Sequence, residues 1–330
     1  MCHYLRAIVV GALLTTAADA DGPISRPTQA GRSPVKVFVL AGQSNMEGAA
    51  VVDLSGADYN HGRGTLAALM RDPATAPLVA HLKAPDDTWA VRDDVWIRYQ
   101  REEAPLLAGP LSIGYSVYGG AHHFGPELQF GHAVGEALDN QVLIVKTAWG
   151  GKSLNVDFRP PSSGRPIGPY YTRMISQIHD AMANLGTEFP AFKGGGCELA
   201  GFVWWHGWND FCDTHAVPAY EENLVHFIRD VRRDLAAPAL PFVIAEFTGP
   251  WPKDAPDLPQ AAIDIREAQR AAAERPEFQG TVCFVETQDF VRRGADSPHP
   301  EHGHHEFGNA ETYVLVGDAA AKGMLHLLGR

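Results

Sequence analysis

Residues 35–45 read VKVFVLAGQSN, and this stretch decides the fold. Residues 35–40 form an apolar, β-branched run that ends abruptly at the turn around Gly42. Continuous apolar strands of this kind are typical of parallel sheets that helices cover on both faces. In such sheets, ligands bind beyond the carboxyl ends of the strands. The stretch therefore predicts a buried parallel strand with Ser44 at the edge of the sheet where ligands collect.

The pattern of this strand recurs along the chain. Similar apolar runs occupy residues 141–145, 201–205, 241–245 and 282–285. Segments with apolar residues at helical spacing lie among them and after them, at residues 127–138, 171–185, 220–235, 260–273 and 313–328. Strand followed by helix, repeated, indicates right-handed crossovers within one parallel sheet. We therefore predict a three-layer α/β/α sandwich with a parallel, doubly wound sheet of the flavodoxin-like type.

The amino-terminal residues are typical of a secretory signal peptide. Arg6 precedes a short apolar run, and an Ala-Asp-Ala cleavage site follows. The run is too short to cross a bilayer as a stable helix. We expect residues 1–20 to be a signal peptide, 21–34 a linker, and 35–330 a single domain. The protein would then be secreted or periplasmic, and a frayed amino-terminal tail is the alternative.

Residues 53–121 interrupt the alternation of strands and helices. They are rich in Asp, Pro and Gly, and they contain Trp89, Trp96 and Tyr99. We predict an insertion between the first strand and its next partner. Its aromatic side chains either line a substrate cleft or pack in the core.

Composition excludes some classes of partner. The 330-residue chain has a formal net charge of −12. A nucleic-acid-binding protein needs a basic face to neutralise phosphates, and a protein that binds anionic lipid needs one as well. We therefore expect neither nucleic acid nor membrane as a partner. Cys197 and Cys212 do not form a C-x-x-C motif, and they are either paired or free thiols.

Three turns at strand ends carry groups suited to acyl transfer. Ser44 can present its hydroxyl to a cleft, with its own N–H close to a developing oxyanion. Gly150 and Gly151 follow another strand and allow a backbone N–H to approach a substrate, and Asn209 offers an amide donor after a third. Taken singly, Ser44 also fits a helix N-cap, and Asn209 fits an ordinary turn. Their occurrence together favours a catalytic site.

The order of these motifs resembles the SGNH hydrolase superfamily. G-Q-S-N-M around Ser44, the glycines at 150–151, G-x-N-D ending at Asp210 and late histidines carry the resemblance. It is closest to the sialate O-acetylesterase-like branch, including acetylxylan esterases of carbohydrate esterase family six. The resemblance implies metal-free hydrolysis of a carbohydrate ester, such as an acetylated sugar or polysaccharide. No cofactor is expected, and the oligomeric state stays open.

The same resemblance assigns roles to residues of this chain. Ser44 is the nucleophile, and Ser44 N–H, a glycine N–H and the Asn209 amide form the oxyanion hole. The glycine is Gly150 or Gly151, of which we favour Gly151. Candidate substrate contacts in the matching motifs are Gln43, Glu127 and His206.

The candidates for the catalytic base and the favoured candidate for the catalytic acid lie near the carboxyl end of the sequence. A serine hydroxyl needs a neighbouring imidazole to remove its proton. His305 leads directly into the final helix, as the catalytic histidine of the family does, whereas His299 fits the D-x-x-H spacing with Asp296. We favour His305 as base and Asp296 as acid. His299 remains the alternative base, and Asp210 the alternative acid.

Two other functions remain open. The histidines at 299–305 and their neighbouring carboxylates suggest a metal-dependent hydrolase, although the spacing does not match H-E-x-x-H on a helix. A non-catalytic carbohydrate-binding protein on the same fold is the second alternative.

Overall fold

The computed structural model describes residues 28–29 and 34–330. The predicted signal peptide and most of the predicted linker lie outside the described residues. The strands of the described part are β1 (Val35–Gly42), β2 (Ala50–Val51), β3 (Arg92–Gln100), β4 (Leu106–Leu111), β5 (His123–Phe124), β6 (Val142–Ala148), β7 (Cys197–Trp205), β8 (Phe242–Ala245) and β9 (Val282–Val285). The helices are α1 (Ser44–Glu47), α2 (Leu66–Arg71), α3 (Ala76–Val79), α4 (Glu127–Ala137), α5 (Pro169–Ala183), α6 (Leu185–Glu188), α7 (Trp208–Phe211), α8 (Tyr220–Asp234), α9 (Gln260–Ala273) and α10 (Ala310–Leu327).

Seven strands form the central sheet, in the order β4-β3-β6-β1-β7-β8-β9. β1 pairs in parallel with β6 on one side and with β7 on the other. The chain adds β3 and β6 on one side of β1, and β7, β8 and β9 on the other. The direction of winding therefore reverses at β1, where an open α/β sheet leaves a crevice for ligands. The predicted doubly wound sheet is confirmed, with one antiparallel strand, β4, at its edge.

The two faces of the sheet are covered by different helices. Successive side chains of a strand point to opposite faces. Val37 and Val39 of β1 accordingly lie in the apolar cluster that contains α5, α8 and α9. Phe38 and Leu40 lie in the cluster that contains α4 and α10. This alternation produces the three layers, and each predicted helix begins and ends within three residues of an observed one.

The insertion at 53–121 extends the sheet. It contains β3, which pairs with β6, and β4, which pairs with β3. The sequence pattern did not predict these strands because β3 carries charged residues at buried positions. Those charges are paired: Arg92 contacts Asp94 at 2.6 Å, and Arg98 contacts Glu188 at 2.7 Å.

The aromatic residues singled out in the insertion pack within the protein. Trp96 is buried and stacks on Phe189, with ring centroids 4.8 Å apart. Tyr99 is fully buried, and Lys83 lies over the ring of Trp89. The core interpretation of Trp96 and Tyr99 is therefore correct.

Two further features concern membranes and thiols. Within the described part of the chain, none of the helices combines the length and apolarity that a membrane span requires. Cys197, Cys212 and Cys283 are free thiols. Cys197 and Cys212 therefore do not form the disulfide that the sequence left open.

Candidate active site

The site forms where three neighbouring strands end at the same level. Gly42, the last residue of β1, is opposite Ala148 of β6 and Trp205 of β7. A Cβ atom at Gly42 would lie 2.2 Å from the carbonyl oxygen of Trp205, so a residue with a side chain would force the strands apart. The loops that follow β1, β6 and β7 therefore meet at one edge of the sheet.

Ser44 is the first residue of α1 and is half-buried. The N-cap position belongs to Gln43, so Ser44 is not the capping residue of this helix. The first N–H groups of a helix have no acceptor within the helix. Ser44 N–H is therefore free of intrahelical bonding at the position where an oxyanion would need it.

The two glycines after β6 have different surroundings. Gly150 lies against Ser44, because a Cβ atom there would be 3.5 Å from Ser44 Cβ. The same Cβ atom would lie 3.1 Å from the Glu47 carboxylate, which accepts from the Tyr99 hydroxyl at 2.5 Å. Gly151 is exposed, adopts a left-handed φ of 72°, and has open space beside it. Gly150 is thus enclosed by Ser44 and Glu47, whereas Gly151 is open to solvent.

A side-chain bridge orients the Asn209 amide. Gln43 Nε2 donates to Asn209 Oδ1 at 3.3 Å, and Gly207 N–H donates to Gln43 Oε1 at 3.2 Å. Because the bridge occupies the carbonyl oxygen of Asn209, its Nδ2 hydrogens are directed elsewhere. Asn209 is only half-buried, so this amide can donate into the cleft.

The three predicted substrate contacts lie beneath the surface. Gln43 is 2% exposed and forms the bridge just described, and Glu127 is fully buried against Lys146. His206 is 2% exposed; its Nε2 lies 2.9 Å from the Lys152 carbonyl, and its Nδ1 lies 3.1 Å from the Tyr220 hydroxyl. In this structure all three side chains contact protein groups. Their geometry fits positioning of the site better than direct contact with a substrate.

A buried ion pair supports the helix that begins at Ser44. Lys146 Nζ donates to Glu127 Oε2 at 2.8 Å and to the Glu47 carbonyl at 2.6 Å. Burial raises the pKa of both Glu127 and Glu47, and burial lowers the pKa of Lys146. The sequence pattern did not predict this group, although a lysine directly after the apolar run 141–145 was a signal. Isolated charges in buried strands are costly unless they are paired.

The candidate histidines lie on one segment, residues 299–308. Tyr313, in α10, ties this segment to the serine: its hydroxyl donates to Asn45 Oδ1 at 3.0 Å and to the His305 carbonyl at 3.2 Å. Asn45 Nδ2 also donates to Glu306 Oε1 at 3.1 Å. The residue that follows Ser44 is therefore bonded directly to the segment that carries His305.

The buried carboxylate of Glu306 holds this segment in place. It is 2% exposed and accepts hydrogen bonds from the Thr248 hydroxyl and from Gly249 N–H, beyond the end of β8. Burial raises the pKa of Glu306 to about 8. Glu306 also adopts a left-handed φ of 50°, which turns the chain back towards α10. Such strain persists only where surrounding contacts hold it.

The two candidate bases differ in their contacts. Burial, followed by the neighbouring histidines, lowers the pKa of His305 to about 4. Burial also lowers the pKa of His299, whose ring packs on Tyr59 of the insertion at 4.8 Å between centroids. Both imidazoles are therefore neutral at neutral pH, as a general base must be. His305 is linked to the serine segment, and His299 to the insertion.

The candidate acids also differ. The side chain of Asp210 is fully buried, and its two oxygens accept from Leu154 N–H at 2.7 Å and Asn155 N–H at 2.8 Å. Burial raises the pKa of Asp210 to about 7. This carboxylate holds the loop that follows Gly151. Asp296 lies on an exposed turn.

The histidines at 299–305 suggested a metal site from the sequence. Across residues 28–29 and 34–330, no group of three or more His, Cys, Asp or Glu side chains is arranged to hold a metal ion.

The sequence matches a known family over most of its length. Residues 34–310 match the family model described as "Carbohydrate esterase, sialic acid-specific acetylesterase". A probable carbohydrate esterase of Arabidopsis thaliana is 27% identical over 213 residues, which make up 64% of this chain and 68% of that protein.

Solved structures share the fold. The X-ray structure of that Arabidopsis thaliana protein has a TM-score of 0.55 and 19% identity, covering 89% of this chain and 99% of its own. The crystal structure of NanS has a TM-score of 0.53 and 14% identity, covering 89% of this chain and 98% of its own. At these identities the likeness establishes the fold alone.

Proposed function

Because this chain belongs to the carbohydrate esterase family described as sialic acid-specific acetylesterases, we propose that it removes O-acetyl groups from carbohydrate with Ser44 as nucleophile. Membership of the family makes the chain a carboxylic ester hydrolase. Secretion or export to the periplasm is part of the proposal and rests on the signal-peptide pattern of residues 1–20. Assignment to carbohydrate esterase family six stays a prediction.

One observation carries the choice of Ser44. The ends of β6, β1 and β7 bring Ser44, Gly151 and Asn209 to one edge of the sheet. Gln43 occupies the acceptor of the Asn209 amide, and the exposed Gly151 has open space beside it. The donors proposed for the oxyanion hole are Ser44 N–H, Gly151 N–H and Asn209 Nδ2. Preorganised donors of this kind stabilise the oxyanion of acyl transfer.

The reaction proceeds in two steps. An imidazole takes the proton of Ser44 Oγ as that oxygen attacks the acetyl carbonyl, and the three donors stabilise the negative oxygen. The intermediate collapses, the imidazolium protonates the leaving sugar oxygen, and an acetyl-serine remains. Water then attacks the acetyl-serine with the same imidazole as base, and acetate leaves.

His305 is the proposed base, because its segment is bonded to Asn45 through Tyr313 and Glu306. His299 is the alternative base. Asp296 as the acid stays a prediction; an exposed carboxylate is hydrated unless it is held against the imidazole.

The test compares acetate release by the wild type and by Ser44→Ala, with p-nitrophenyl acetate and acetylated xylan as substrates. We expect Ser44→Ala to lose about 1000-fold or more of kcat. Ser162→Ala is the matched control, because Ser162 Oγ lies 2.7 Å from His226 Nδ1 in a surface pair away from these strand ends. A fluorophosphonate should label Ser44 and leave Ser162 unmodified.

Each other outcome has a definite meaning. Full activity of Ser44→Ala would refute the nucleophile assignment. Activity that disappears on chelation and returns with added metal would favour a metal-dependent hydrolase. If the wild type binds carbohydrate but does not hydrolyse either ester and does not react with the fluorophosphonate, the protein is a binding protein.

A further inference from the structure

A run of aromatic rings borders the candidate active site. It begins at Tyr59 in the insertion and ends at Trp251, and neighbouring ring centroids are 4.8–6.1 Å apart. We call this run the aromatic rim; its members are Tyr59, His299, His302, His304, Trp208 and Trp251. All of them are half-buried except His302, which is exposed. Part of each of these residues is therefore accessible to solvent.

Tyr118 stands beside this rim and is much more exposed. Its side chain packs on the ring of His123 at 4.5 Å between centroids, yet the residue is 56% exposed. The neighbouring Val117 N–H donates to the carbonyl of Gly48, the residue after α1, at 3.4 Å. Arg101 holds the same loop by donating to the Val117 carbonyl at 3.2 Å. Tyr118 is thus fixed close to the serine helix and presents its ring to solvent.

The rim and Tyr118 are each connected to the serine segment. Tyr118 follows Val117, whose N–H donates to Gly48, the residue after the serine helix. Trp208 adjoins Asn209, which is bridged to Gln43, the residue before Ser44. A ligand with its ester at Ser44 would therefore have aromatic surface nearby from the insertion and from the loop after β7.

The rim is aromatic and largely uncharged. Burial lowers the pKa of both His299 and His304, so these rings are neutral at neutral pH. Aromatic faces carry partial negative charge and attract the C–H groups of a stacked ring, whereas they offer no strong donor to a carboxylate. Such a surface suits a neutral sugar better than an acidic one.

We propose that Tyr118 and the aromatic rim form binding subsites for a neutral glycan chain that continues beyond the esterified sugar. This inference rests on the proposed function and deepens it, because it names a polymeric, uncharged carbohydrate as the substrate class. Tyr118 supplies one stacking platform from the insertion. Trp208 and Trp251, whose rings stack at 11° between planes, supply the other.

The experiment measures binding by affinity electrophoresis in gels that contain one polysaccharide each. The panel is arabinoxylan, galactomannan, mixed-linkage β-glucan and polysialic acid. The protein is the full chain with Ser44→Ala, so that no ester is hydrolysed during the run. We expect at least one neutral polysaccharide to retard it, and polysialic acid not to do so.

Variants then test the residues. In the Ser44→Ala chain, Tyr118→Ala should weaken binding about tenfold, and Tyr118→Phe should keep most of it, because stacking needs the ring and not the hydroxyl. Trp251→Ala should also weaken polysaccharide binding, independently of Tyr118. The matched control is Val91→Ala, which truncates an exposed apolar side chain next to the amino end of β3, at the opposite edge of the sheet. Thermal unfolding of every variant verifies that it is folded.

Failure of this inference differs from failure of the proposed function. Equal retardation of the Ser44→Ala chain with and without Tyr118→Ala would refute the subsites. Retardation by polysialic acid alone, or by no neutral polysaccharide, would refute them as well. Wild-type hydrolysis of p-nitrophenyl acetate, measured in parallel, reports on the esterase function alone. Binding without hydrolysis would preserve the subsites and remove the esterase.

Discussion

The segment that carries Ser44 and the segment that carries the histidines meet at Asn45, yet different contacts hold them. On the serine side, Gln43, Asn45 and Glu47 are all buried, and each is hydrogen-bonded to a different part of the chain. On the histidine side, the rings of residues 299, 302, 304 and 305 pack mainly on one another and stay partly exposed.

This difference shows how the two halves of the site acquire their precision. The serine half is part of the sheet, since its position follows from the ends of β1, β6 and β7. The histidine half is a loop attached through the buried Glu306 carboxylate and the Tyr313 hydroxyl. We therefore expect substitutions on the serine side to disturb the oxyanion donors, and substitutions on the histidine side to separate the roles of neighbouring imidazoles.

The largest effect in this comparison should come from the proposed base. His305→Ala should lower kcat about 1000-fold, because the serine loses its proton acceptor. His299→Ala should lower kcat about tenfold or less, since His299 contacts the insertion through Tyr59. Acetate release from p-nitrophenyl acetate measures both variants. The reverse ranking would make His299 the base.

A pH profile provides the control for this assignment. An imidazole acts as base only while it is neutral, and burial lowers the pKa of His305 to about 4. The wild-type kcat/KM should therefore stay constant as the pH falls from neutrality to about 5, and should decline nearer pH 4. A decline of kcat/KM centred near the ordinary histidine pKa would indicate that a more exposed imidazole is the base.

The next largest effect should come from the oxyanion donor on the serine side. Asn209→Ala should lower kcat about 100- to 1000-fold with little change in KM, because the amide acts on charge that develops in the transition state. Steady-state kinetics with p-nitrophenyl acetate separate the two constants. A rise in KM at unchanged kcat would instead assign Asn209 to ground-state binding.

Gln43 offers a sharper variant of the same test. Gln43→Glu keeps an acceptor for Gly207 N–H but loses the donor that faces Asn209 Oδ1. The new carboxylate should accept from Asn209 Nδ2 and turn the amide around, so kcat should fall as far as in Asn209→Ala. Gln43→Met, which accepts no such bond, should cost about tenfold. Equal kinetics of the two Gln43 variants would contradict the bridge.

The last effect concerns stability, not turnover, and lies at the Glu306 anchor. Burial raises its pKa from 4.5 to about 8, so the folded protein retains this proton more tightly than the unfolded chain does. Stability from this group is complete below about pH 4.5 and is lost as the pH rises towards 8. Glu306→Gln cannot ionise, so the wild type should lose about 4 kcal/mol more than the variant between pH 5 and pH 9.

Urea unfolding at the two pH values measures this difference. Equal pH dependence in wild type and Glu306→Gln would mean that Glu306 is ionised in the folded protein. The Asn45, Thr248 and Gly249 donors would then hold the charged form.

Much of the fold was predictable because burial leaves a direct mark on sequence. The strands at 35–42, 142–148 and 282–285 are apolar since helices cover both faces of the sheet. The strand β3 was missed for the opposite reason. Its charged residues Arg92, Asp94 and Arg98 are buried in ion pairs. Arg92 pairs with Asp94 of the same strand, and only the fold brings Glu188 close to Arg98.

The candidate site divides in the same way. The positions of Ser44, Gly151 and Asn209 at strand ends followed from the sequence. The roles of Gln43, Glu127 and His206 did not, because a polar residue in a motif looks alike whether it faces substrate or is buried against a partner. Burial and the bonds to Asn209, Lys146 and Lys152 distinguish these cases.

The sequence by itself determined the doubly wound sheet, the order of the candidate catalytic loops and the family, because these depend on local apolar periodicity and short motifs. Only the tertiary structure decided which of the two glycines is open to solvent, which way the Asn209 amide points and which histidine is tied to the serine segment. Those outcomes depend on contacts between residues far apart in the chain, such as Asn45 with Glu306 and Gln43 with Asn209. Hydrogen bonds of that kind have no periodicity, so they leave no pattern in the sequence to be recognised.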